Sequence, residues 1–212
     1  MNKSKRLHFN QPAPDLELLN TAGKLVLLSS LWKKRPLILA FTRHFGCTQC
    51  KEMLDELVAG KQRIEEAGLG IAVVTQGSPG ATDLFMKQYA PDLVALSDPE
   101  RMAYHAYGLE RGSIFQTVLN PRVMRAVRES ARKGYKLEQP PEGQDALQMS
   151  GTFIINQAGT ILLPFYYDDI ADHPSLDLLL EGVLSTQWDA DFEGPIGPGV
   201  EKNLPKKRGK KA

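Results

Sequence analysis

Several things are scarce in this sequence, and each scarcity excludes a class. Two cysteines in 212 residues cannot staple a domain of this size with disulfides. There is no second Cys pair to complete a four-ligand zinc site. The four histidines, His8, His44, His105 and His173, are scattered without ligand spacing. Long hydrophobic runs are missing too. The densest one in the front half, Leu37-Ile38-Leu39-Ala40-Phe41, is far too short to span a bilayer. The N-terminal stretch MNKSKRLHFNQPAPDLELL is basic but holds no apolar core of signal-peptide length, so a cytoplasmic chain is expected. Charge of one sign is also lacking. Lys+Arg number 26 against 25 Asp+Glu, a net +1, which gives no global case for nucleic acid or an anionic membrane as partner. No glycine-rich phosphate loop of accepted spacing occurs, and no metal, flavin or nucleotide cofactor is implied.

What is present reads as one globular domain. Apolar residues make up 42 % and charged residues 24 %, enough for a single sizeable core. The composition changes once, after Trp188. Residues 1–188 are expected to form the domain and 189–212 a basic tail rich in glycine and proline, without packed structure. The last eleven residues carry Lys202, Lys206, Lys207, Arg208, Lys210 and Lys211 and no acid. That tail reads as solvated, able at most to make weak, salt-sensitive contact with nucleic acid or another polyanion.

Strand and helix patterns alternate along the domain. Residues 15–18 and 24–27 flank the turn signal Thr21-Ala22-Gly23 and predict a hairpin. Residues 36–41 form a short apolar run, the pattern of a strand buried on both faces. A helix follows from near Cys47, with Met53, Leu54, Leu57, Val58 and Ile64 on one side, and Gly68 ends it. Residues 69–74 are a second buried strand. Strand, helix and strand within about forty residues fit a right-handed parallel crossover. Beyond it the pattern predicts a helix over 81–89, a strand over 93–96 and a helix over 99–107 ended by Gly108. A basic helix over 122–133 leads to a polar loop over 136–149. Residues 152–155 and 160–163 flank a turn and form a second hairpin. Ser175 is placed to cap a last helix reaching Leu184.

The chemistry centres on Cys47 and Cys50, a Cys-x-x-Cys where a buried strand hands over to a helix. Unpaired amides and the dipole at a helix start favour a thiolate, so Cys47 is expected to have a lowered pKa. Cys50 lies one turn on, on the same face. A small adjustment brings such a pair to disulfide distance. Cys47 would attack a substrate sulfur or oxygen, and Cys50 would resolve the intermediate. Arg43 and His44, four and three residues earlier, could stabilise the thiolate as cations, and His44 could relay a proton. Their alternative is a solvated loop. For the cysteines the alternatives are two core thiols or half a metal site. His105 reads as a packing or surface residue, His173 as part of a loop leading into a helix, and Gly46 as a loop residue allowing a close turn.

These residues carry a resemblance. The segment QPAPDLELLNTAGKLVLLSSLWKKRPLILAF resembles the opening of the thioredoxin-fold peroxiredoxins of the AhpC/TSA group. FTRHFGCTQCKEMLDEL and LSDPERMAYHAYGLERG resemble its PRXL2/AAED-type peroxiredoxin-like branch, as does the later stretch from LQMSGTFIINQAGTILLPFYY onward. The resemblance runs from about residue 10 to 185. It implies an α/β thioredoxin-like fold: a central mixed sheet flanked by helices, with an N-terminal hairpin and a helical insertion around 110–149. It also implies thiol redox activity, with Cys47 as the attacking cysteine and Cys50 as the second. Typical peroxiredoxins carry Thr or Ser three residues before the attacking cysteine, Pro seven before it, and Arg three before the Phe of the late hairpin strand. Here those positions are His44, Ala40 and Ser150. Thioredoxins carry Trp before the motif and a cis-Pro facing it, where this sequence has Gly46 and the facing pair Ser150 and Gly151.

The sequence therefore points to a two-cysteine thiol oxidoreductase with antioxidant chemistry. A peroxide or disulfide would be the substrate, and a dithiol of thioredoxin or glutathione type the external reductant. The rival reading is a redox-sensing, thioredoxin-fold binding protein with little turnover. A third is metal binding by the cysteine pair with histidine help.

Overall fold

The computed structural model describes residues 6–181. The two apolar runs become the middle of a seven-stranded sheet. In chain order the elements are β1 (Glu17–Asn20), β2 (Leu25–Leu27), α1 (Ser29–Trp32), β3 (Leu37–Phe41), α2 (Thr48–Glu66), β4 (Gly70–Thr75), α3 (Pro79–Tyr89), β5 (Val94–Ser97) and α4 (Met102–Ala106). A π-helical turn (Phe115–Leu119), α5 (Pro121–Arg132), β6 (Gly151–Ile155), β7 (Ile161–Tyr166) and α6 (Leu176–Glu181) complete the series. The strand order is β2-β1-β5-β4-β3-β6-β7. β3, β4 and β5 run parallel, as the crossover pattern requires, and the other pairs are antiparallel. This is the mixed sheet expected from the sequence. One outer strand, β7, carries Pro164.

Alternation along β3 builds the core. Ile38 and Ala40 point to one face, where Met53, Leu54, Leu57 and Ile64 of α2 pack with Phe85 and Met86 of α3. Leu37, Leu39 and Phe41 point to the other, against Trp32, Tyr104 and Tyr107. Phe41 meets the rings of Tyr104, Tyr107 and Phe153 at 5.1, 5.1 and 5.8 Å. Fully burying each such side chain stabilises the fold by roughly 1.5–3 kcal/mol. That packing fixes β3, and so fixes where the chain leaves it for α2.

Several boundaries move; the helix expected over 81–89, for example, starts at Pro79. The first strand begins at Glu17 rather than Asp15, because the Asp15 carboxylate accepts the Ser29 amide at 2.8 Å and so sits at the start of α1. The helix expected over 99–107 starts only at Met102. The Asp98 carboxylate accepts the amides of Met102 and Ala103 at 2.9 and 2.8 Å, and Arg101 takes a left-handed conformation with φ 57°. Residues 99–101 are thereby spent as a turn. The insertion is helical only in its first half, through residue 132. Its second half, 136–149, is an irregular strap with turns at 142–143 and 146–147. The last helix begins at Leu176, with the Ser175 hydroxyl accepting the Leu178 amide at 3.2 Å. Its expected end at Leu184, the 188/189 boundary and the tail lie outside the described residues.

Candidate active site

β3 ends at Phe41, and six residues later the chain enters α2 through Cys47. Cys47 is the N-cap, in extended conformation (φ −77°, ψ 117°), and Cys50 is in the first turn. Two residues donate to the Cys47 sulfur. Cys50 does so through its thiol and its backbone amide, and Arg43 through its guanidinium, with Nη1 3.5 Å away. The hydrogen bonds from Cys50, together with the charge and hydrogen bond of Arg43, outweigh burial and lower the Cys47 pKa to about 6. Cys50 moves the other way. Burial and its bond to the Cys47 sulfur raise its pKa, although the Arg43 amide also donates to its sulfur at 3.3 Å. The pair is split into a thiolate and a thiol at neutral pH, which is the assignment a nucleophile and a resolving partner need.

Arg43 is not in a solvated loop. It is 4 % exposed, with Nε donating to the Gln148 carbonyl at 3.1 Å and Nη2 to that of Ala146. His44, expected as a second cation, is corrected by its surroundings. Burial and the neighbouring charges of Arg43 and Lys51 lower its pKa to about 4, so its ring is neutral at pH 7. Its Nδ1 and the Thr48 hydroxyl, both buried, have no hydrogen-bond partner among the described residues.

The strap lies across this platform. The Glu138 amide donates to the Gly46 carbonyl at 3.0 Å. Lys51 Nζ donates to the Lys136 carbonyl at 3.1 Å and pairs with the Glu138 carboxylate. The Phe45 amide donates to Gln144 Oε1 at 2.9 Å. Gln76, just beyond β4, accepts the Asp145 amide and donates to the Arg43 carbonyl, each at 2.9 Å. Gly46 has a specific reason to be glycine, since a Cβ there would collide with the Glu138 carbonyl. α5 covers the adjoining turn, where Gln49 donates to Ser130 at 2.8 Å and Lys133 pairs with Glu52. Under this cover Cys47 is 1 % exposed and Cys50 is 5 % exposed.

Ser150 and Gly151 stand where β6 begins, with Gly151 paired to Phe41 at the end of β3. Ser150 is buried and its carbonyl accepts the Tyr167 amide at 3.4 Å. Neither bonds to a cysteine sulfur, and no peptide bond among the described residues is cis. The residues on this side that reach the platform are Gln144, Asp145, Ala146 and Gln148, all within the polar loop expected over 136–149. Ala146 and Gln148 act through carbonyls and Asp145 through its amide, so their side chains carried no signal, while Gln144, which acts through its Oε1, reads as any loop glutamine. His105 is exposed, and His173 Nε2 lies 3.2 Å from a Glu56 carboxylate oxygen. Among the described residues, no three or more His, Cys, Asp or Glu side chains cluster as a metal site, and no helix is long and apolar enough to cross a membrane.

A strand-to-helix dithiol with one stabilised thiolate, set on a helix-flanked mixed sheet, defines a peroxiredoxin-like thiol oxidoreductase on a thioredoxin-like fold. The chain belongs to the AhpC/TSA family, whose profile matches residues 9–163. It is 28 % identical over 174 residues to the Bos taurus protein named Peroxiredoxin-like 2C, covering 79 % of this chain and 76 % of that one. It is 28 % identical over 121 residues to the Arabidopsis thaliana "Thioredoxin-like protein AAED1, chloroplastic", spanning 57 % of this chain and about half (48 %) of that relative. Among solved structures it is similar to the reduced, hydrogen peroxide-bound Prx3 of Vibrio vulnificus. The TM-score is 0.61 at 13 % identity, covering 82 % of this chain and 97 % of that one, a likeness of fold.

Proposed function

We propose that the protein reduces hydroperoxides with Cys47, using Cys50 to resolve and an external dithiol of thioredoxin or glutathione type to restore the pair. The observation that carries this reading is the double donation to Cys47 from Cys50 and Arg43, which lowers its pKa to about 6. In this scheme the Cys47 thiolate attacks the outer peroxide oxygen. The S–O bond forms as the O–O bond breaks, and the alkoxide or hydroxide leaves with a proton. Cys50 then attacks the sulfenic sulfur, the disulfide forms, and water departs with the Cys50 proton. The reductant's two thiols return two electrons and two protons. Arg43 is assigned the cationic role that Ser150 cannot fill at the usual arginine position. The unpartnered His44 Nδ1 and Thr48 hydroxyl support an oxygen-bearing ligand beside Cys47. The strap must lift for that ligand and for the reductant. A reducing, cytoplasmic setting suits the two free thiols.

The test pairs two variants against hydrogen peroxide with a dithiol reductant. Cys47→Ser is expected to abolish turnover. Cys50→Ser is expected to stop after one oxidation, accumulating sulfenic acid without an intramolecular disulfide. Wild-type turnover by Cys47→Ser would overturn the proposal. The burial of both sulfurs favours a second reading, a redox-sensing binding protein. Absent turnover in wild type, together with partner binding that changes on oxidation, would select it.

A further inference from the structure

We propose that the outward face of the 111–133 insertion docks on an anionic lipid surface. Ile114, Phe115, Val118 and Leu119 are 60, 59, 57 and 62 % exposed, four large apolar side chains within six residues of sequence. The adjoining α5 supplies the charge. At about 100° per residue, Arg125, Arg128 and Arg132 fall within ~60° of one another, opposite the buried Val123 and Ser130. The other cations of the insertion are engaged elsewhere: Arg111 with Asp145, Arg122 with Asp169 and Asp172, and Lys133 with Glu52. Arg125, Arg128 and Arg132 form no ion pair among the described residues, and Glu129 is the only acid between residues 111 and 133. Added negative charge comes from the exposed Asp168, whose carbonyl accepts Gln116 at 3.0 Å, and from Asp169 and Asp172, which share the single cation Arg122.

The combination selects the occupant. Guanidinium groups seek anionic headgroups while neighbouring aromatic and aliphatic side chains enter the acyl boundary. Nucleic acid would use the arginines but give the apolar group nothing. A second copy bound about a two-fold axis through this face would set the arginine rows against each other.

The test is flotation of the full chain with phosphatidylcholine vesicles and with vesicles carrying about three parts in ten phosphatidylserine. Binding to the anionic vesicles only is expected, weakening as salt shortens the Debye length below its ~8 Å at physiological strength. Arg125→Glu/Arg128→Glu/Arg132→Glu should lower partitioning at least roughly a hundred-fold. Phe115→Ser/Leu119→Ser should also lower it, and this arm separates the face from the six cations of residues 202–211. All five substituted side chains are exposed, so both variants should melt as wild type does, and peroxide turnover in solution should not change. The dithiol proposal is therefore tested separately. Absence of anionic binding, equal binding to neutral vesicles, or wild-type binding by Phe115→Ser/Leu119→Ser would overturn the proposal. So would duplex DNA binding in place of vesicle binding, or a dimer dispersed by the same apolar substitutions.

Discussion

The two sides of α2 are held by different physics. Its inner side places Met53, Leu54, Leu57 and Ile64 on the sheet, where apolar area removed from water holds the helix in place. Its outer side, at the first turn, lies under α5 and the strap, held through Gln49, Lys51 and Glu52. The neutral Gln49 link contributes ~0.5–1.5 kcal/mol net and the charged Lys51 and Glu52 links ~1.5–3 kcal/mol each, because water replaces them on opening. The inner side is thus permanent, and the outer side can open without disturbing the core. Cys47 sits where the two meet. The fixed side aims its sulfur, and the movable side governs who reaches it.

Replacing Arg43 should break that division most strongly, since Arg43 serves both sides. In Arg43→Met the Cys47 pKa should climb from about 6 toward the ~8.5 of a free thiol. The sign follows from the charge: without the guanidinium the thiolate is disfavoured, so at pH 7 less of it remains. The Cys50 hydrogen bond, the larger cause, remains, so the loss of reactive thiolate should be several-fold, below the roughly thirty-fold that a full return to the free value would give. Ultraviolet thiolate titration and the rate with hydrogen peroxide would both register it. An unmoved titration would remove Arg43 from the chemistry.

Gly46→Ala sharpens the comparison by touching the cover alone. Its methyl group displaces the Glu138 carbonyl, so iodoacetamide should reach Cys47 faster. The gain should be about three- to ten-fold, equivalent to one or two lost hydrogen bonds. The thiolate titration should stay where it was. Unchanged alkylation would mean the strap is no barrier.

The smallest effect belongs to His44. Wild-type reactivity should rise as pH passes upward through about 6, where Cys47 ionises, and then level off. His44, with a pKa of about 4, is already neutral there. His44→Asn should therefore leave the inflection in place, and a displaced inflection would make the ring a participant.

The inner side was legible in the sequence and the outer side was not. Residues 37–41, 69–74 and the apolar side of α2 announce themselves by periodicity, because burial against a sheet demands it. The Cys-x-x-Cys is legible for a similar local reason, its place at a strand-to-helix junction. The cover is polar meeting polar. Gln49, Lys51 and Glu52 carry no signal of their own, and residues 136–149 read as a polar loop, because neither pattern differs from one facing water. Arg43 was found from its sequence distance to Cys47, but not its burial, which depends on carbonyls a hundred residues away. Asp98 and Asp15 moved two element boundaries through single side-chain caps, which periodicity does not encode.

Pro164 bears on what happens beyond the single molecule. It lies in β7, one of the two outermost strands of the sheet, and brings no amide hydrogen. A strand arriving from another molecule would find no donor at that point on the rim. The sheet is thereby discouraged from growing sideways into an aggregate along that border.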